Sequence, residues 1–585
     1  MFKKLFVAAC AVAQGCLGMI AATSGAAVTD ANISGHVVDA ETGEHMPFYY
    51  VRILDTKLAT LTDASGHYVF RDLAPGDYTL EAVFTGYKTV TLDVRVVKDR
   101  TVEANFSVVP DAFMLDQVVV TSSKSEVRRR ESPALVNVIT GKLFETVGAC
   151  SLADGLNFQP GVRVENDCQN CGFTQVRING LDGHYSQILM NSRPVFSALT
   201  GVYGLEQIPA NMIERVEVMR GGGSALFGSS AIGGTINIIT KDPMTNSARV
   251  AHTLSSIGLS GALDNNTTLN ASVVTDNNKA GIFIYGQSRY RDGYDDNSDG
   301  FTEIAQLKTR TVGARAFVRP SDISRLSLEY HNTSEYRRGG DNLDQPPHMA
   351  MIAEQADHDI HAVEATFDIW PANRRDHVSV FGAMQNTRRQ SYYGSDMDPD
   401  AYGRTSDIVV TSGAQWTHPF DRFIFMPSEL VAGVEYSFNR LHDVTLGYDH
   451  DILQKVHIYS GYLQNEWRNS RWGFLVGARV DKHSLISDPV ISPRVNIRYN
   501  PDDNLNFRLS YSTGFRSPQA YDEDFHVAIV GGERVVTVLA AGLKEESSRS
   551  VSASADLYHR FGNVQTNLLV EGFYTDLRDV FALRQ

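Results

Sequence analysis

Leu505-Asn-Phe-Arg-Leu-Ser-Tyr-Ser512 alternates apolar and polar residues without an error. Successive side chains of a strand point to opposite faces, so the stretch predicts a strand with one apolar and one polar face. Arg494-Val-Asn-Ile-Arg-Tyr499 repeats the pattern. Trp472, Phe474, Val476, Ala478 and Val480 share one face, with Arg479 and Asp481 on the other. Leu326, Leu328 and Tyr330 oppose Ser327, Glu329 and His331. Apolar-out and polar-in with a period of two is the pattern of a transmembrane barrel. Composition agrees. The 585 residues carry 53 Lys+Arg against 68 Asp+Glu, a net charge of −15, which excludes the basic footprint of a general nucleic-acid binder. Mean hydropathy is −0.20. No apolar run of about 18 residues follows the N-terminus, so a multi-span helical protein is excluded. Composition alone fits a soluble β protein equally well.

Outward from these strands, the connections alternate in length. Short turns are predicted at Asp276–Lys279, Pro320–Asp322, Pro371–Asn373, Pro419–Asp421, Asn469–Arg471, Pro501–Asn504 and Phe561–Asn563. Longer loops fall near 292–304, 338–357, 393–405, 445–452 and 516–545. Short periplasmic turns and long outer loops are what a barrel of residues 246–585 requires.

Upstream, Lys3, Lys4 and the apolar run Leu5–Ala13, with small residues at Ser24-Gly25-Ala26, read as a signal peptide over 1–26. Residues 31–108 hold about seven short strands separated by turns, a small β-sandwich. Cys10 and Cys16 leave with the signal. In an oxidising compartment Cys168-Gln-Asn-Cys171 reads as a local disulfide. The rival readings are a redox pair and a zinc half-site, and no second Cys-x-x-Cys completes the latter. Cys150 is then odd and expected to be buried. Met114-Leu-Asp-Gln-Val-Val-Val-Thr121 is a β-branched run between domains. It suits strand addition to a partner sheet, or an ordinary edge strand. Residues 122–243 alternate short strands and helices.

Within that α/β segment stands Glu214-Arg-Val-Glu-Val-Met-Arg-Gly-Gly-Gly-Ser-Ala-Leu-Phe-Gly-Ser-Ser-Ala-Ile-Gly-Gly-Thr-Ile-Asn-Ile-Ile-Thr-Lys241. Gly228-x4-Gly233 lacks the lysine of a phosphate loop, so its glycines are read as tight turns and close packing. The stretch, with Val176-Arg-Ile-Asn-Gly180, resembles the plug signature of TonB-dependent outer-membrane receptors. The sandwich, with its turns Thr62-Asp-Ala-Ser-Gly66 and Leu73-Ala-Pro-Gly76, resembles the carboxypeptidase-regulatory-like domain that receptors of the Bacteroidetes type carry in front. The resemblance covers 31–585. It implies a mostly β architecture of sandwich, α/β plug (122–243) and antiparallel transmembrane barrel (246–585). It makes 114–121 the TonB box, carried by Asp116, Gln117, Val118, Val119, Val120 and Thr121. It implies import energised by TonB and its inner-membrane complex, in the lipid of the outer membrane, of a scarce haem, ferric chelate or cobalamin. The alternatives are a glycan-importing receptor, or a surface binding or signalling receptor without transport. A surface lipoprotein partner is left open.

The outer loops are where ligand chemistry is sought. Asp295, Asn297 and Asp299 have the oxygen spacing of half a calcium loop, and Glu303 adds a carboxylate. Gln306 stands where a bidentate Glu would be needed, and a solvated acidic loop is the rival reading. His348, His358 and His361, with Asp344, Asp357 and Asp359, are assigned to one loop; such histidines ligate haem iron or simply face water. Tyr392, Tyr393 and Tyr402 offer rings for stacking on a macrocycle or sugar. Ser512-Thr-Gly-Phe-Arg-Ser-Pro518 resembles the Phe-Arg-x-Pro segment of the family, which makes His526 a ligand candidate. His184, in a plug turn, is another. No His-Glu-x-x-His or Gly-x-Ser-x-Gly motif points to an enzyme, and no resident cofactor is required.

About fifteen strands are readable in 246–585, against about 22 in plugged transporters. The chain ends on Phe581-Ala-Leu-Arg-Gln585 rather than on a closing aromatic strand. The expectation is a C-terminally truncated barrel with a gap beside its first strand, near 246–260.

Overall fold

The computed structural model describes residues 31–582, apart from 41–42, 47–48, 55, 57, 64, 85–86, 110–117, 126, 169–171, 195–199, 259–260, 276, 372–374, 503, 519–527, 531–532, 536–539, 541 and 562–563. The signal peptide reading therefore lies outside the described residues. Among the described residues no helix is long and apolar enough to cross a membrane, which leaves strand-built spans untouched. The chain divides into two compact units, Met1–Phe84 with Thr89–Val109, and Thr85–Lys88 with Pro110–Gln585.

The first unit is built of eight short strands in two four-stranded sheets. In one, Asn32–Asp39 pairs antiparallel with His67–Phe70 and parallel with Thr101–Glu103 and Phe106–Val108. In the other the order is Ala59–Leu61, Tyr50–Ile53, Gly76–Val83, Val90–Val96. Period-two alternation buries Ile33, Val37, Val51, Ile53, Leu80 and Phe106. Gly35 is obligatory, because a Cβ there would lie 1.7 Å from the Ala104 carbonyl oxygen.

In the second unit, the plug centres on a four-stranded mixed sheet ordered Val136–Thr140, Ile213–Arg220, Gly234–Thr240, Ser186–Met190. Only the last pair is parallel. The glycine-rich stretch is turn and close packing: Gly221 and Gly228 have φ of +83° and +80°, and a Cβ on Gly234 would lie 2.6 Å from the Met219 carbonyl oxygen. Ile139, Leu156, Ile178, Val216, Val218, Ile236 and Ile238 form the core, which Phe283, Tyr285 and Ala383 of the wall extend.

Fifteen strands, paired in sequence order, make the wall, from Ser247–Ser256 to Val564–Arg578. These two are its edges, and no pairing joins them among the described residues. Alternation holds as read: Asn506 and Arg508 are buried while Phe507, Leu509 and Tyr511 are exposed. The turn parity holds too, with three revisions. Tyr402–Phe423 runs through Pro419–Asp421, and the hairpin turns instead at Ile424-Phe425, where Ile424 takes φ +64°. Ser324–Gly340 and Ile352–Ile369 extend the wall so far that only 341–351 is loop. Asp357, His358, Asp359 and His361 are therefore strand residues. Likewise, the loops read at 393–405 and 445–452 shrink to 396–401 and 446–449. Long polar strands that rise past the apolar band look like loops in sequence, because no apolar face marks them.

Candidate functional site

The segment from Val118 is folded into the plug. Val118–Val119 pairs antiparallel with Val127–Arg128. Val119 is buried with Ala134, Val136, Leu226 and Phe227. Glu217, wholly buried on a plug strand, accepts hydrogen bonds from Val120 N at 2.9 Å, Thr121 N at 2.9 Å and Thr121 Oγ1 at 2.7 Å. Arg215 Nε balances its second oxygen at 2.9 Å.

Beyond Thr121 the barrel wall takes over. Lys124 Nζ lies 2.6 Å from Glu435 Oε1, and Arg479 Nη1 2.7 Å from Glu435 Oε2. Burial pulls the Lys124 ammonium down to about 8, against the attraction of Glu435. The backbone is held carbonyl by carbonyl. Arg494 donates to Ser122 O, Gln464 to Ser123 O, Gln415 to Lys124 O, Asn506 to Arg130 O and Arg508 to Ser132 O. Two of these donors, Arg494 and Arg508, are charged, and a hydrogen bond from a charged donor contributes about 1.5–3 kcal/mol, so this strip is anchored to the wall.

The Phe-Arg-x-Pro segment also grips the plug. Ser230 N donates to Phe515 O at 2.8 Å, and Ser517 N to Ser229 Oγ at 3.2 Å. Arg516 stands over the Tyr185 ring at 5.9 Å. His184 is half-buried beside it, its ring 4.3 Å from that of Tyr185.

A family model described as "TonB dependent receptor-like, beta-barrel" matches residues 239–585, more than half of the chain. The chain belongs to the TonB-dependent receptors. The TonB-dependent Receptor Plug Domain matches 128–235 and the CarboxypepD_reg-like domain 33–120. Vitamin B12 transporter BtuB of Photobacterium profundum is 24% identical over 420 residues, covering 70% of this chain and 63% of the relative. The Hemin receptor of Yersinia pestis is 25% identical over 452 residues, covering 71% and 62%. The chain thus spans a little over six-tenths of the length of these curated relatives. Among solved structures, the siderophore receptor PirA of Acinetobacter baumannii superposes with a TM-score of 0.60 at 17% identity, covering 77% of this chain and 78% of that one. The alcaligin receptor FauA of Bordetella pertussis gives 0.59 at 14%, covering 79% and 73%. At such identities the likeness shows the fold alone.

Among the outer loops of this TonB-dependent receptor, some candidates are brought together and others dispersed. His348 Nδ1 lies 2.7 Å from the Tyr402 hydroxyl, and the Tyr402 ring meets that of Tyr392 edge-on at 4.9 Å. Tyr402 is exposed, whereas Tyr392 and Tyr393 are buried. Tyr392 donates to Asp398 O at 2.9 Å and so supports the cluster, while Tyr393 packs under Arg389. His358 is buried in the wall 3.6 Å from Glu335, and His361 faces outward against Tyr330. Asp295, Asp299 and Glu303 bring carboxylate oxygens within 4.8 Å of one another. Asn297 stays out, its side chain turned to the Asp299 amide and carboxylate. The loop is closed by backbone donors, Ser298 N and Gly300 N to Asp295 and Asp296 N to Glu303.

Asp116, Gln117, Cys171 and His526 lie outside the described residues, as does the Cys168 side chain. Cys150 is buried as expected. Sequence reading missed Glu217 and Glu435. For Glu217 a signal existed, a lone carboxylate in the otherwise apolar Val216-Glu-Val-Met219. For Glu435, alternation indicated the lumen but not the partner.

Proposed function

We propose that this receptor takes up a scarce metal-bearing macrocycle or chelate, of the haem, ferric-chelate or cobalamin class, across the outer membrane, energised by TonB. The observation that supports the reading most is the state of Val118–Thr121. A β-branched strand is parked on the plug by one two-residue pairing, one carboxylate and the burial of Val119. Its short pairing can be exchanged for pairing on a partner sheet, whereas the strip that follows is bonded to the wall. Force applied at the box first meets the bonds that tie this strip to the wall, and reaches the rest of the plug when they give. The printed names of the relatives, a vitamin B12 transporter and a hemin receptor, favour this cargo class. The exposed His348–Tyr402 pair supplies an imidazole and a ring for first capture. A calcium ion held by Asp295, Asp299 and Glu303 would stiffen the neighbouring loop without entering transport.

The test is uptake of labelled haem, ferric chelate and cobalamin by cells carrying this receptor, beside Val119→Pro. Proline removes a backbone donor and fixes φ. Uptake of one ligand is expected to vanish in the variant with surface binding retained. Normal uptake by Val119→Pro would overturn the reading.

A further inference from the structure

The N-terminal sandwich carries a cluster that the transport reading does not use. His36 and His67 are direct partners across the antiparallel pair of Asn32–Asp39 and His67–Phe70. His45 joins them from the connection that bridges back to Val38. The three rings are in mutual contact, with centroids 5.0, 5.2 and 5.6 Å apart. Three backbone segments are needed to bring them together. Gly66 is one reason they can meet, since a Cβ there would lie 2.9 Å from His45 Cβ.

The protons are already arranged. His45 Nδ1 lies 2.9 Å from the Ser65 carbonyl oxygen, which can only accept, so Nδ1 carries the proton and Nε2 the lone pair. Ser65 Oγ donates to Asp63 Oδ1 at 2.8 Å and therefore accepts from His67 Nδ1 at 3.2 Å. Asp63 Oδ1 also accepts from Ser65 N at 2.9 Å and His67 N at 3.0 Å, so it is the acceptor in this chain of bonds. His67 Nε2 is thus also a bare lone pair. Ring N–H groups tied to a carbonyl or to a carboxylate-backed hydroxyl are the usual support of metal-ligating imidazoles. The His36 ring has no hydrogen-bond partner among the described residues, and it is half-exposed.

The geometry points to a transition-metal site: His36, His45 and His67 bind one divalent zinc, nickel or copper ion. Imidazole suits these ions. With metal–nitrogen bonds of about 2.0–2.1 Å in a tetrahedral array, imidazole centroids stand about 5 Å apart, which is the spacing found. The nitrogens themselves do not yet converge within 4.8 Å as three ligands. Closure turns the ring planes, chiefly that of His36, whose ring makes contacts but no hydrogen bond among the described residues. Three protein ligands leave a position open to water or to a donor on a second molecule.

The test uses the full chain, purified without a histidine tag and stripped with chelator. Zn²⁺ is titrated against a chromogenic competitor, and Co²⁺ is followed by its visible d–d absorption. One equivalent is expected in the wild type with a tetrahedral Co²⁺ spectrum. His45→Ala, a change in an exposed connection, is expected to weaken it at least about tenfold, and Ser65→Ala about tenfold by freeing the His67 proton. Asp299→Asn should leave that equivalent unchanged, which separates it from the acidic loop. A wild type that takes up no metal, or a His36→Ala/His45→Ala/His67→Ala variant that keeps the equivalent and its spectrum, overturns the proposal.

Discussion

Arg508 and Leu509 are neighbours on one wall strand and live in opposite solvents. Leu509 is 48% exposed on the face turned to lipid, and Arg508 is 6% exposed in the lumen, where it donates to the carbonyls of Ser132 and Arg129. The outward face is generic. Leu509, Val312 and Val434 need only be apolar, because hydrocarbon makes no directional demand. The inward face is specific. Arg479, Glu435, Arg494 and Gln464 each meet a particular atom of the plug or of one another. One face keeps the chain in the membrane, and the other holds the plug in the barrel.

Substitutions on the two faces test that contrast. Glu435→Ala is expected to have the largest effect, since it leaves the buried Lys124 charge without its partner. Losing one side of such a pair costs about 3–5 kcal/mol. It should show as a lower unfolding midpoint and as proteolysis within 118–132. A variant as resistant as wild type would mean that the lumen pairing is as generic as the lipid face. Leu509→Arg comes next, at about 2–4 kcal/mol near the bilayer midplane, read by urea titration of folding in liposomes. Leu509→Met should cost less than about 1.5 kcal/mol in the same assay, and equal costs for the two would end the comparison.

Glu217→Gln touches neither face but Val118–Thr121, the proposed TonB box. It keeps an acceptor oxygen and loses the charge, weakening the hold on Val120 and Thr121 by about 1–3 kcal/mol. Faster amide hydrogen exchange at those two residues is expected, with Ser122–Ser132 unchanged. Exchange spreading through the whole strip would show that box and strip open as one unit. The smallest effect is chemical. In the mature, unreduced and denatured protein, thiol labelling should find Cys150 alone, with Cys168 and Cys171 bridged. Three labelled thiols would refute the bridge.

The sequence was most informative where one physical rule acts alone. Period-two alternation specified the wall strands and their inner and outer faces, and turn residues specified most hairpins. It misread 338–361 as loop because strands above the apolar band have water on the outside and polar lumen within, so nothing alternates. Pro419 misled for a related reason: a proline is compatible with a strand where its missing donor is not needed. The candidate site was legible in part. His348 and Tyr402 were found by residue type, and they meet because loops 341–351 and 396–401 adjoin. His358 failed because its strand carries it into the wall.

Residue type and spacing alone gave the wall strands and which face of each meets lipid, and the plug motif gave the division into sandwich, plug and wall through its resemblance. The strand faces follow from local geometry and hydrophobicity, which ask only what kind of residue occurs at what spacing. Only the tertiary structure decided the partnerships. Glu217 with Thr121, Glu435 with Lys124 and Arg479, and the contact of His36, His45 and His67 join residues from 9 to 311 positions apart. Hydrogen bonds and ion pairs act over a few ångströms and in fixed directions. Which polar atom meets which is therefore set by the packing of whole elements, and no run of neighbouring residues records it.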